Sequence, residues 1–315
     1  MKPKRNRFSY IIDFLKSAPA VLKYKFFRIK PKTDQVGSVK QITLQQGSGI
    51  LFDLLRSNTP FAAIRFGAVE LSCLNNYEKI RLGFAKKFKQ SVVTSMKKNT
   101  GFYPTTQDNL THYSKYMFNH LSETDVLGIS GLHMENYFYR NFAFNAQPIQ
   151  NWTLDPLIGQ WSHLLKGKRV LVISPFSEQI EEQYKKRTLL FPNNSDILPA
   201  FELMTIKAVQ TIADQVDPRF GNWFEALDFM KVEILKLDFD VALVGAGAYG
   251  SPLCLYIRSL NKQAIQTGGA TQLLFGIIGR RWEDREYVKK HINEQWVRPK
   301  DRPTGFQKVE KGCYW

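Results

Sequence analysis

Short apolar runs alternate with longer amphipathic segments along this chain. Five runs predict buried strands: 61–66 (FAAIRF), 125–130 (DVLGIS), 169–174 (RVLVIS), 240–244 (DVALV) and 262–267 (KQAIQT). The third and fourth are short, β-branched and nearly continuous, as in strands covered on both faces. The clearest helix signal is 222–237. There Trp223, Leu227, Met230 and Ile234 recur on one face, and Asn222 precedes them with Glu225 three residues on, as in a capping box. Residues 202–213, with Leu203, Ile206, Val209 and Ala213 at helical spacing, and residues 49–56 read as further helices. Strands alternating with helices predict an α/β fold, with a mostly parallel sheet and helices on both faces.

Punctuation divides the pattern. Pro148, Pro156 and Lys166-Gly167-Lys168 mark a seam between an N-terminal half, 46–160, and a C-terminal half, 161–295. Residues 296–315 lack periodicity, and the apolar ending Cys313-Tyr314-Trp315 is expected to dock on the body. Residues 1–45 form a basic arm. Eleven Lys/Arg (Lys2, Lys4, Arg5, Arg7, Lys16, Lys23, Lys25, Arg28, Lys30, Lys32, Lys40) face only Asp13 and Asp34 in residues 1–40, more than half of the chain's net charge of +16. Within the arm, Phe8, Ile11, Ile12, Phe14 and Leu15 share a helical face. It reads either as a packed leader or as a helix lying on the inner face of a membrane.

Composition narrows the class. Hydrophobic content of 43% with 23% charged residues excludes global disorder. No run of 18 apolar residues predicts a spanning helix. Three widely spaced cysteines, Cys73, Cys254 and Cys313, argue against a disulfide framework or a zinc site and fit a reducing cytoplasm. The histidines show no HxH or HExxH spacing. Basic charge concentrated in an arm without a recognition motif gives no reason to expect nucleic acid as a partner.

In open α/β sheets, ligands bind beyond the carboxyl ends of the strands. Glycine or a small polar residue follows nearly every predicted strand. Gly67 and Glu70 follow the first; Gly131, His133 and Glu135 the second; Ser174 ends the third, before Pro175, Ser177 and Glu178. Gly245-Ala246-Gly247-Ala248-Tyr249-Gly250 follows the fourth, and Gly268, Gly269 and Gln272 the fifth. The fourth loop matches G-x-G-x-x-G between a strand and a helix. Its amides either cradle a phosphate or only allow tight strand–helix packing. A dinucleotide needs an acid about 20 residues further on for the ribose, and 251–282 contains no Asp or Glu. This favours a mononucleotide or the diphosphate of a nucleotide sugar over NAD(P). Arg65, near the end of a buried strand, is costly without a partner. It forms an ion pair with Glu70, or both face the crevice with Arg65 toward phosphate.

The motif Arg65-Phe66-Gly67-Ala68-Val69-Glu70 after a strand resembles the R-[FY]-G-D-G-E signature of bacterial glycosyltransferases of the GT-D fold type. The late strand–glycine loop–helix, followed by a strand ending in Gly268-Gly269, is similar to that family's Rossmann-like C-terminal half. The blocks GKRVLVISPF and GGATQLLFGI and the ending with WVRP and CYW resemble proteins of surface-polysaccharide loci. The likeness spans residues 45–285. It implies a Rossmann-like, GT-D-like fold and transfer of a sugar from a nucleotide-sugar donor to a cell-surface glycan or lipid-linked acceptor. Arg65, Gly67, Ser174, Gly245, Gly247, Tyr249, Gly250, Gly268, Gly269 and Gln272 are the candidate donor-binding residues.

In that family the D-x-E pair helps to hold Mn²⁺ or Mg²⁺. Here the glutamate is Glu70, but Ala68 stands at the aspartate position, and one carboxylate is a poor site for such an ion. Without metal, cations must stabilise the departing diphosphate; Arg65, Lys185-Lys186-Arg187 and Arg280-Arg281 are the candidates. Glu70, Glu135 and Glu178 are the candidate catalytic bases, Glu70 foremost. The substitution at Ala68 also suggests a non-catalytic nucleotide- or sugar-binding protein, and G-x-G-x-x-G an NAD(P)-dependent oxidoreductase.

Overall fold

A computed structural model describes residues 5–27, 29, 33–40, 42–211 and 216–315. Ala213 and the arm residues Lys2, Lys4, Arg28, Lys30 and Lys32 lie outside them. Nine strands occur among the described residues: β1 (Gln35–Val36), β2 (Val39–Lys40), β3 (Phe61–Arg65), β4 (Val126–Ile129), β5 (Gln147–Gln150), β6 (Arg169–Ser174), β7 (Glu202–Lys207), β8 (Val241–Val244) and β9 (Gln263–Ile265). β1 and β2 make a separate antiparallel ribbon. The other seven form one sheet, ordered β5-β4-β3-β9-β8-β6-β7, in which every pairing is parallel. The chain is therefore an α/β protein built on a seven-stranded parallel sheet. β3 of the N-terminal half pairs directly with β9 of the C-terminal half, so the seam at 148–168 carries the chain across a continuous sheet.

Strand periodicity places the two cores. Ala62, Ile64, Leu127, Ile129, Leu171, Ile173, Ala242 and Val244 face one side, where they meet Leu71, Leu74, Trp223, Leu227 and Leu253 from helices. The alternate residues Phe61, Ala63, Val126, Val170, Val172, Val241, Leu243 and Ile265 face the other, against Leu51, Leu55, Trp161, Ile180 and Leu273. Both faces are covered by helices, which is why the strand sequences read as continuous apolar runs.

Local signals explain the element boundaries. The helix Trp223–Leu235 begins at Asn222, whose side chain accepts from the amides of Phe224 and Glu225. Glu225 completes the cap by accepting from the Gly221 amide at 2.7 Å. The helix Leu44–Ser57 starts earlier than the predicted 49–56, because Thr43 and Gln46 form a reciprocal capping box.

Two elements correct the sequence expectations. Residues 202–207, expected to be helical, form edge strand β7, paired residue for residue with β6. The spacing of Leu203 and Ile206 was ambiguous between the two periods, and pairing with β6 decided it. Pro148, read as a break, lies inside edge strand β5, a position where a missing amide is tolerated.

The topology opens a crevice. From β6 the chain proceeds to β7 at one edge, whereas from neighbouring β8 it proceeds to β9 in the opposite direction. Diverging connections between adjacent parallel strands leave a gap at their carboxyl ends.

Candidate ligand-binding site

The segments following six of the seven strands of the main sheet line a single cavity of about 370 Å³. β3 contributes Arg65 through Glu70, β4 Ser130 and Leu132, β6 Ser174 through Phe176, and β7 Val209 through Thr211. β8 contributes Gly245 through Gly247 with Tyr249, and β9 Gln266, Gly268, Gly269, Thr271 and Gln272. Arg281, Val309, Tyr314 and Trp315 close the remaining wall. The three glycine-bearing loops singled out in the sequence thus open onto the same space.

Close backbone approach explains two of these glycines. Gly268 has φ +58°, and a Cβ there would collide with the Arg65 guanidinium. Gly245 lies against the same turn: its Cβ would stand 2.6 Å from the Gly268 carbonyl and 2.5 Å from Thr271 Oγ1. The guanidinium of Arg65 therefore rests on bare backbone at the end of β9. Its own amide donates to Gln266 Oε1 at 3.0 Å, and its carbonyl accepts from Ser251 Oγ. Ser251 also donates to Gln266 Oε1 at 2.9 Å, so one glutamine ties the ends of β3 and β9 to the helix Gly250–Ser259. Among the described residues, no side chain accepts a hydrogen bond from the Arg65 guanidinium.

Helix geometry adds electrostatics. The helix Ala68–Arg81 begins at the cavity with no side-chain cap on its first amides; the helix Gly250–Ser259 begins behind the lining residue Tyr249, with its Gly250 amide donating to the Gly247 carbonyl and Pro252, which has no N–H, at its third position. Uncapped first turns present N–H groups and the positive end of the helix dipole. The Glu70 carboxylate curls back over Gly67, where any Cβ would strike it. Glu70 is the only Asp or Glu lining the cavity among the described residues; Arg65 and Arg281 are the cations there. Arg281 donates to the Tyr314 hydroxyl at 2.7 Å and lies over that ring, which holds both beside Gly269.

The structure separates the other candidates. Glu135 is buried, and its carboxylate accepts from the amides of Ser130, Gly131 and Leu132 at 2.7–3.1 Å. It braces the loop after β4 instead of facing the cavity, which corrects its assignment as a base. Glu178 is likewise corrected. Its side chain is 74% exposed and ion-paired with Lys207 on β7, because the first turn of its helix overhangs the sheet edge. Lys185, Lys186 and Arg187 lie at the far end of that helix and do not line the cavity. Arg280 donates to the Lys311 carbonyl and also stands outside.

Several donor-site candidates also hold the fold. Gly250 does not line the cavity; it makes room for the Gln266 amide. Gln272 lines the cavity but spends its amide donors on the carbonyls of Ile277 and Tyr314. Tyr249 is buried, its ring stacked on Trp223 at 4.8 Å. Ser174 Oγ accepts from the Phe176 amide at 3.2 Å. Gln266, Val209 through Thr211 and Asn99-Thr100 were not foreseen as lining residues, the second group because β7 had been read as helix.

The donor set can be tested against the divalent ion implied by the GT-D resemblance. Ala68 supplies no ligand, Glu70 is the lone lining acid, and no group of three His, Cys, Asp or Glu suited to a metal occurs among the described residues. The residues present do not fit an ion held by a D-x-E pair.

Glu135 offers a pH signature. Burial pushes its carboxyl up to about 7, while the three amides pull it down. A folded value above the unfolded one means that its stabilisation is full below about pH 4.5 and is lost as pH rises through 7. Denaturant unfolding of wild type and Glu135→Gln at pH 5 and 8 should therefore show the wild type losing about 1–3 kcal/mol relative to the variant. An unchanged difference between the two proteins would contradict this account of the loop.

Comparison with known protein families, curated proteins and solved structures returns no match.

Proposed function

We propose that this protein is a glycosyltransferase of GT-D-like, Rossmann-like type, which moves a sugar from a nucleotide-sugar donor to a surface glycan or lipid-linked acceptor. The observation that carries this reading is the convergence of Arg65, Glu70, the uncapped start of the helix Ala68–Arg81 and the glycine-bearing segments 245–247 and 268–269 on one cavity. The positive end of the helix Ala68–Arg81 and a guanidinium resting on backbone favour a phosphate-bearing ligand. The absence of any acid between 251 and 282 weighs against a dinucleotide bound through its ribose.

In this reading the donor diphosphate lies against Arg65 and the amides of Ala246 through Ala248, since those of Gly245, Tyr249 and Gly250 donate to backbone carbonyls. The acceptor hydroxyl attacks the anomeric carbon as the bond from that carbon to the diphosphate oxygen breaks. Glu70 takes the hydroxyl proton, and Arg65 and Arg281 offset the charge on the leaving diphosphate. No step is routed through a metal.

A second reading is a binding protein without turnover. Its support is Ala68, which leaves Glu70 as the sole Asp or Glu lining the cavity among the described residues. Calorimetric titration with a panel of nucleoside-diphosphate sugars, followed by assay of donor hydrolysis and transfer, separates the two. Binding with turnover supports the transferase; binding without turnover for any acceptor supports the second reading. Lack of binding to every nucleotide sugar would remove both. Tight NADH or NADPH binding would favour an oxidoreductase.

A further inference from the structure

We infer that the helix Arg7–Phe27 lies on an anionic lipid surface through its outer stripe. The inference rests on the helix and not on the reading of the cavity. One face of the helix is fixed to the body. Tyr10 is buried and its hydroxyl donates to Asn75 at 2.6 Å; Asp13 is buried and paired with Arg140; Ser17 Oγ stands 2.9 Å from His133 Nδ1. Phe14, expected on one face with Phe8, Ile11 and Leu15, instead turns to the body and packs edge-on against the same imidazole. Rotating the helix would strand the buried Asp13 carboxylate, so the opposite face is held outward.

That opposite face is apolar. Phe8, Ile11, Leu15 and Leu22 fall at intervals of three, four and seven residues, on one side of a helix. All four are exposed, Phe8 and Leu15 at 73% and 64%. Single exposed apolar residues are ordinary, but a contiguous row marks a docking surface. Phe84, also exposed, flanks the helix at its start: it stacks on Tyr10 at 5.6 Å and lies beneath the Arg7 guanidinium.

The surrounding charge selects the occupant. Lys16 and Lys23 are exposed on the helix beside the stripe, and Lys86 and Lys87 are exposed next to Phe84. A basic rim around an apolar stripe matches an anionic bilayer, where the stripe enters the acyl boundary and the lysines meet headgroups. A second copy of a chain carrying +16 would bring like charges together. No helix among the described residues is long and apolar enough to cross a membrane, so the contact is a surface one. The helix also touches the cavity wall: His133 adjoins Leu132, which lines the cavity.

Flotation of the full chain with phosphatidylcholine vesicles, with and without phosphatidylglycerol, tests this. The wild type is expected to float with the anionic vesicles, less with pure phosphatidylcholine, and less as salt rises. Leu15→Glu/Leu22→Glu should cut the bound fraction at least about tenfold, with circular dichroism and nucleotide binding unchanged because both side chains are exposed. The inference is overturned if the wild type stays at the bottom with anionic vesicles or if the double variant floats equally. It is also overturned if light scattering shows a dimer that the same variant splits.

Discussion

Glu70→Gln is expected to lower sugar transfer by about 10²–10⁴-fold, the range for losing a positioned base, while donor affinity stays within about threefold of wild type. The amide keeps the size of the side chain over Gly67 and removes its charge and its capacity to take a proton. No other residue can substitute among those foreseen, since Glu135 is committed to three backbone amides and Glu178 to Lys207 at the sheet edge. Glu178→Gln should therefore retain wild-type turnover. Steady-state kinetics on the matched pair checks both. Equal activities for Glu70→Gln and wild type would remove Glu70 from the reaction and leave the cavity a binding site.

Arg65→Met should weaken nucleotide-sugar binding by about 10- to 100-fold, as expected for losing a hydrogen-bonding cation at a phosphate. The methionine retains the aliphatic stem over Gly268, and the strand-end ties of residue 65 run through its backbone to Gln266 and Ser251. Thermal stability should change little, so weaker binding would report on the guanidinium alone. Titration calorimetry with the free nucleoside diphosphate and with the intact donor should show the same loss if Arg65 meets the diphosphate. A loss confined to the intact donor would place Arg65 at the sugar instead.

Much of this arrangement was legible in the sequence because buried parallel strands write themselves plainly. FAAIR, RVLVIS and VALV are apolar on both faces over most of their length; Gly67 comes two residues after the first, Ser174 ends the second and Gly245 follows the third directly. The edges of the sheet were harder. β5 carries Pro148 and two glutamines, and β7 mixes Glu202, Thr205 and Lys207 with apolar residues, so neither shows the continuous run of a central strand. Misreading β7 hid the lining residues Val209 through Thr211.

The roles of the glutamates were not legible either. Glu70, Glu135 and Glu178 all follow strands within the first turn of a helix. Only coordinates separate a carboxylate over a cavity, one folded onto its own loop and one at an exposed edge. Long-range ties such as Gln266 to Arg65 join residues 201 positions apart and leave no local trace. The docked tail was foreseen from its apolar ending, and Trp315 is indeed buried, with its indole N–H on the Asp301 carbonyl at 2.8 Å.

The most direct test of the shared anion pocket is a crystal structure of the chain with a nucleoside diphosphate, uridine diphosphate first. The account expects the diphosphate between the Arg65 guanidinium, the amides that open the helix Ala68–Arg81 and the loop 246–248. Density for the nucleotide on another surface, with Arg65 and the loop 245–250 untouched, would contradict it.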